Sequence, residues 1–262
     1  MATSGNIQSI KEGHSVKEAV VFFSVTPSIP DPKSYKELIV EGGALCGKYQ
    51  RYEPIKNITV HFNQQSAETT IEQSQDKGFK LLSFSDGELS GLVQGINQYD
   101  KGMFTFNTLK YKDWGSFWNQ VKESVSAVVA HYTDYLVRSF GLLYIDEFRA
   151  VNPKEFKISQ LFDLDSEFVP RTISSSNLMD YNLNFRKEEK ERQWAENLAV
   201  IIDNNKKVVT INNNVTFTIV PKGIQELVDS DYLEEFLYFA HKENKKLLKD
   251  LLKQDICKMI GL

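Results

Sequence analysis

The sequence predicts an α+β protein: a mainly antiparallel sheet with two long amphipathic helices packed on one face. Three observations carry this expectation. Apolar residues alternate with period two between Ile55 and Leu109, the spacing switches to helical from Trp114 to Tyr135, and a second helical stripe runs from Asp231 to Met259.

The elements follow in order. Val16 to Val25 contains the continuous apolar run Ala19-Val-Val-Phe-Phe23 and reads as a buried strand that the prolines at 27, 30 and 32 end. Tyr35, Leu38, Ile39, Leu45 and Tyr49 fall at helical spacing and predict a helix over Ser34 to Tyr49, with Gly42 and Gly43 weakening its middle. Ile58, Val60 and Phe62 alternate against Thr59 and His61. Phe79 to Phe84, Leu89 to Ile96 and the Phe104/Phe106 pair complete a four-stranded meander, turned at Asp86-Gly87 and Asp100-Lys101-Gly102.

Trp114, Trp118, Val121, Val125, Val128, Tyr132 and Tyr135 then recur every three or four residues, with Asp113 as the expected N-cap. Phe140 to Phe148 reads as a central strand stopped at Asn152-Pro153. A mostly irregular stretch with one turn near Ile158 to Phe162 precedes three further strands, Met179 to Phe185, Leu198 to Ile202 and Val208 to Val220, with Asn204-Asn205 as a hairpin turn and the charged block 186–192 as solvated loop. Each part thus reads as strands followed by one long helix. The expectation is two similar α+β halves, residues 1–150 and 151–262, side by side on one continuous sheet.

Composition narrows the function. There are 31 Lys and Arg against 35 Asp and Glu, net charge -4, with no clustered basic stripe, so a counterion-releasing grip on nucleic acid is not indicated. Only Cys46 and Cys257 are present, with no histidine at zinc-ligand spacing. Residues 1–14 lack the apolar region of a secretory signal, and no apolar run reaches the length of a membrane span, which predicts a cytoplasmic protein without a membrane partner. The C-terminal lysines 242, 245, 246, 249 and 253 are interspersed with Glu243, Asp250 and Asp255, the pattern of a solvated helix face rather than of a lipid-binding one.

Catalytic signals are sparse. No GxSxG, GxxxxGK[ST] or GxGxxG occurs, so no cofactor is expected. The histidines at 14, 61, 131 and 241 fall on different elements. His131 and Asp134, three apart on the expected helix, form a candidate pair for two metal ligands or for a base with its orienting group. Asp146 is the candidate general base, because a carboxylate at the end of a buried strand sits where many sites place one. Its neighbour Glu147 points to the other face of the strand. Asp163 and Asp165 share a parity and are candidate oxygen ligands for a metal.

Val16-Lys-Glu-Ala-Val-Val-Phe-Phe23, Phe104-Thr-Phe-Asn-Thr-Leu109, Tyr111-Lys-Asp-Trp-Gly-Ser-Phe117, Phe140-Gly-Leu-Leu-Tyr-Ile-Asp146 and Phe239-Ala-His241 stand in an order that resembles a sporadically distributed family of functionally uncharacterised bacterial proteins of similar length. The resemblance spans nearly the whole chain. Where that family shows Gly-Leu-Arg-Tyr-Ile-Asn, this sequence reads Gly141-Leu-Leu-Tyr-Ile-Asp146, with Leu143 for the arginine and Asp146 for the asparagine, so no site built on the arginine carries over. The resemblance implies a cytoplasmic α+β protein of patchy distribution, a pattern that looks like accessory genes for antiviral defence. Together these readings favour a non-enzymatic binding or assembly protein acting through protein–protein contacts, as a homo-oligomer or with another chain. A metal-assisted hydrolase or nuclease using some of His131, Asp134, Asp146, Asp163 and Asp165, and a nucleic-acid or ligand sensor, are the alternatives.

Overall fold

The computed structural model describes residues 3–63, 68–132, 134–174, 180–189, 192–203 and 205–262. The chain is α+β. Among the described residues eleven strands form one antiparallel sheet: β1 (Thr3–Ser4), β2 (Ile7–Ser9), β3 (Val16–Thr26), β4 (Arg51–Asn63), β5 (Glu68–Ser85), β6 (Glu88–Gln98), β7 (Lys101–Thr108), β8 (Leu136–Ala150), β9 (Tyr181–Glu189), β10 (Arg192–Asp203) and β11 (Val208–Gly223). Their order across the sheet is β4-β5-β6-β7-β3-β8-β11-β10-β9, with the β1–β2 hairpin attached to β8. The helices are α1 (Trp114–His131), α2 (Ile224–Asp229), α3 (Asp231–Leu251) and α4 (Gln254–Met259).

The topology explains the strength of the central run. β3 and β8 lie side by side in the middle, each hydrogen-bonded on both edges, and their inward-facing residues Ala19, Val21, Phe23, Phe140, Leu142 and Tyr144 are fully buried. β3 leaves outward to β4, and a meander returns through β7 to β3's free edge. β8 leaves outward to β9, and a second meander returns through β11 to β8. The sheet therefore runs without a break across residue 150.

Several local expectations are corrected. The helix expected over Ser34 to Tyr49 is a 3-10 stretch at Ser34–Ile39 followed by turns. Gly42 and Gly47 take φ of 83° and 79°, the left-handed region that suits glycine, and a side chain on Gly43 would meet the Glu37 and Leu38 carbonyls. The helix expected to reach Tyr135 stops at His131, because Tyr132 is already extended and β8 begins at Leu136. The charged block is not loop: Arg186 to Glu189 extends β9, and Arg192 opens β10. The expected C-terminal helix, Asp231 to Met259, is divided at Leu252-Lys253, where Leu252 bridges to Phe162 and the Lys253 amide donates to the Leu161 carbonyl, and a further short helix, α2, precedes it. Met179 and Asn204, at the ends of an expected strand and turn, fall outside the described residues.

The face carrying Phe140, Leu142 and Tyr144 packs against α1, α2 and the first half of α3 in one core cluster. A second cluster gathers Phe148, Ile211, Leu198 and Val200 under Leu247, Leu248 and Leu251. Each fully buried side chain of this kind contributes about 1.5–3 kcal/mol. What separates the clusters is a line of buried polar residues: Asp146 on β8, Asn213 on β11, Glu196 on β10, and His241 with Asn244 on α3. In each of these strands the polar residue sits at the inward-facing position between apolar ones, and the seam steps diagonally across the sheet, by two residues per strand: Asp146 pairs with Ile211, Tyr144 with Asn213, and Val215 with Glu196.

Gly141 sits at the centre of the frame. A Cβ there would lie 2.2 Å from the Val215 carbonyl oxygen and 2.5 Å from the Phe22 ring. Gly141→Ala is expected to lower the unfolding free energy by about 2–3 kcal/mol, read as a lower denaturant midpoint with unchanged slope. An unchanged midpoint would show that the strands part at little cost.

Candidate functional site around Asp146

A cavity of about 220 Å³ opens where β8, the start of β3, the loop before α1 and α3 meet. Asp146 is fully buried at its wall. Its position follows from β8's alternation, which turns Tyr144 and Asp146 to the helix face and Glu147 to the other. There Glu147 accepts from Lys17 Nζ at 2.7 Å and from Arg149. Burial pushes the Glu147 carboxyl up, but the two cations outweigh it and hold it below its ordinary range.

Asp146 has no such cations. A register shift between Val16 and Glu18 bulges the start of β3 and sets Ser15 beside it, and the Ser15 hydroxyl donates to Asp146 Oδ1 at 2.6 Å. The Ser15 carbonyl accepts the Glu147 amide at 2.9 Å, which fixes the segment. Asp146 Oδ2 has no hydrogen-bond partner among the described residues. Burial raises the carboxyl to about 6, against the pull of the Ser15 hydrogen bond. At neutral pH the group is an anion with one satisfied oxygen and one open one.

Above it runs a relay of rings. The Tyr144 hydroxyl pairs with His241 Nδ1 at 2.9 Å and, more loosely, with the Tyr111 hydroxyl at 3.4 Å. Trp114 stacks on His241 with ring centroids 5.0 Å apart, and His14 meets Tyr111 edge to face. Burial lowers His241 to about 4, with Lys245 and Lys242 adding to the effect, and lowers His14, with Lys11 adding. Both imidazoles are neutral at pH 7. Burial also lifts the Tyr111 hydroxyl to about 12 and that of Tyr144 well above its usual range, so neither ionises. His14 Nδ1 and Asn244 Nδ2 are buried and, like Asp146 Oδ2, lack partners among the described residues.

The contrast within the seam is informative. Glu196 is as buried as Asp146, yet Asn213 Nδ2 donates to its Oε1 at 3.0 Å and Lys187 binds its Oε2. A larger hollow of about 560 Å³ lies along Lys187, Trp194 and Glu243, but the carboxylate nearest in the seam is already engaged on both oxygens. Open hydrogen-bonding capacity at a buried carboxylate belongs to the Asp146 cavity.

The other candidates lie apart. His131 closes α1, about 25 Å by helix rise from Trp114, and its Nε2 pairs with Ser34 Oγ at 2.8 Å. Asp134 is exposed in the turn beyond the helix end, so the expected pair does not share a helix face. Asp163 and Asp165 are exposed, and the Asp163 carboxylate is used in a turn, accepting the Asp165 amide at 3.1 Å. His61 lies in β4, and its side chain is outside the described residues. Among the described residues no three His, Cys, Asp or Glu side chains converge as metal ligands would.

Ser15, Tyr111, Tyr144 and Asn244 were not legible as site residues, although two signals were present. Tyr144 shares Asp146's parity on β8, and His241 with Asn244, three apart, interrupts the leucine stripe of α3.

Asp146 and His241 oppose each other in pH. The folded chain holds the Asp146 proton more tightly than the unfolded one, so the stability tied to it is complete below about pH 3.8 and lost as pH rises through about 6. The folded chain binds a proton at His241 less well, so that stability is present above pH 6.5 and lost as pH falls towards about 4. Across pH 4–6 the two largely cancel. In Asp146→Asn the cancellation is removed, and the unfolding free energy is expected to climb with pH by about 2 kcal/mol more than in the wild type over that interval. Chemical denaturation at a series of pH values reads the difference, and superimposable pH profiles would refute it.

Compared with protein-family models, with curated proteins and with solved structures, the chain matches none of them.

Proposed function

We propose that this chain is a binding protein that takes a small polar ligand in the Asp146 cavity. One observation carries the reading: a fully buried carboxylate with an unpartnered oxygen on the wall of a cavity. A buried polar group without a partner costs roughly 1–3 kcal/mol, more when charged, and native folds rarely carry one without a use for it. Asn244 Nδ2 and His14 Nδ1, open beside the same cavity, add a donor and a second nitrogen for recognition. The tyrosines supply polar tips on an apolar wall, the usual mixture in ligand pockets. The hydroxyl in contact with Asp146, that of Ser15, is buried together with the carboxylate it donates to. The arrangement thus favours holding a ligand over transforming it.

The recurrence of central strand, outward crossing, inward meander and helix in 16–131 and again in 136–251 supports reading the chain as two related halves. α1 comes from the first and α3 from the second, each packing against the sheet. In that reading the cavity lies at their junction, where a ligand touches both.

A ligand present at a hundred times its Kd stabilises a protein by about 2.7 kcal/mol. For a chain of this size that is a rise in melting temperature of roughly 5–10 °C. Incubating the protein with a fractionated metabolite extract is expected to give such a rise and a small-molecule adduct in native mass spectrometry, both lost in Asp146→Ala and Tyr144→Phe. An absence of adduct and of any shift across the fractions would sink the reading.

A second reading, assembly with another copy of the chain, is favoured by the other sheet face. Val20, Phe22 and Leu143 lie at its centre, with Val20 opposite Leu143 and Phe22 opposite Gly141, and they belong to neither core cluster. Light scattering across micromolar concentrations is expected to give a dimer that Leu143→Lys converts to monomer; a wild-type monomer throughout would remove it.

A further inference from the structure

Within the ligand-binding reading, which this inference presupposes, the distribution of charge around the cavity narrows the ligand. At the buried end stands the Asp146 carboxylate, and its open oxygen accepts hydrogen bonds but gives none. His14 and His241 bring no positive charge to balance it, and no lysine or arginine forms an ion pair with Asp146 among the described residues. The Tyr111 and Trp114 rings that line the cavity offer π faces, which suit a cation in a desolvated space. An anion placed at that end would face Asp146 directly.

The mouth carries the opposite sign. Lys112 and Lys245 line the cavity and are exposed, and neither forms an ion pair among the described residues. The Asp113 carboxylate beside them is turned onto α1, accepting from the Ser116 amide at 2.9 Å and from the Ser116 hydroxyl at 2.7 Å. Asn244, next to Lys245 on α3, adds its unpartnered Nδ2 donor. Two cations and an amide donor stand ready for an anionic group, while the buried end asks for a cationic donor.

We propose that the ligand is a small zwitterion, whose ammonium group donates to Asp146 Oδ2 at the buried end while its carboxylate or phosphate is held at the mouth by Lys112, Lys245 and Asn244. The two ends select each other. An amine alone leaves the lysines without an anion, and a carboxylate alone leaves Asp146 unpaired.

The test is a calorimetric and NMR titration of the full chain with the straight-chain ω-amino acids from glycine to 6-aminohexanoate and with phosphoethanolamine. Each is compared with the amine and the carboxylate of the same chain length. At least one zwitterion is expected to bind roughly tenfold more tightly than either matched single-charge probe, since a hydrogen bond to a charged group contributes about that much. Asp146→Asn is expected to weaken that zwitterion and the matched amine about tenfold. The surface variant Lys245→Ala is expected to weaken the zwitterion while leaving the amine unchanged, and it reads the mouth even if Asp146→Asn fails to fold. A matched amine binding as tightly as the zwitterion, a matched carboxylate binding better than the amine, or no binding by any zwitterion of the series each overturns the proposal. If the series fails while metabolite fractions still give an adduct lost in Asp146→Ala, the ligand class is wrong and the pocket reading stands. If both fail, the pocket reading falls with it.

Discussion

The burial of Asp146 is the constraint around which the rest of the site is arranged. A carboxylate in an apolar core is expensive to keep ionised, and the protein meets this with a single hydrogen bond from Ser15 and a carboxyl shifted upward towards about 6. Everything nearby is consistent with one unspent interaction: the neutral imidazoles, the un-ionised tyrosines, and the cavity itself. In the next residue of the strand, Glu147, the same chemistry is handled in the opposite way, by Lys17 and Arg149.

The polar seam does more than hold Asp146. By interrupting the apolar interior along a diagonal through β8, β11 and β10 and on α3, it divides the core into two clusters that the same helix spans. Asn213 and Glu196, bonded to each other, with Lys187 completing the ion pair, fix the register of β9, β10 and β11 by a pattern that a slip of one residue would bury wrongly. One half of the seam is therefore satisfied within the fold, and the other half is open towards the cavity.

The connection between frame and site is the central strand pair. β8 can place Tyr144 and Asp146 inward only because Gly141 lets Phe22 and the Val215 carbonyl come close, and because the bulge at the start of β3 brings Ser15 into reach. The residues on α1 and α3 then complete the wall: Trp114 at the first turn of α1, and His241 with Asn244 at the gap in α3's leucine stripe.

By itself the sequence determined the α+β class, the β5–β7 meander, the core of β3 and β8, and the Asp113 cap of α1, because period, turn residues and capping are local properties written in neighbouring side chains. It also marked Asp146 as the carboxylate on a buried strand. It did not determine the segment after Ser34, where apolar spacing at 3.6 was overruled by left-handed backbone that favours glycine at positions 42 and 47, or the ends of α1 and α3, where a strand and a bridge to Phe162 compete for the same residues. The tertiary structure alone decided which groups meet. Ser15 and Asp146 lie 131 residues apart, and Tyr144 and His241 lie 97 apart, so their hydrogen bonds depend on sheet order and on the bulge rather than on any spacing in the chain. Which buried carboxylate is satisfied and which is left open is likewise a matter of cross-strand register, and that is where the character of the site resides.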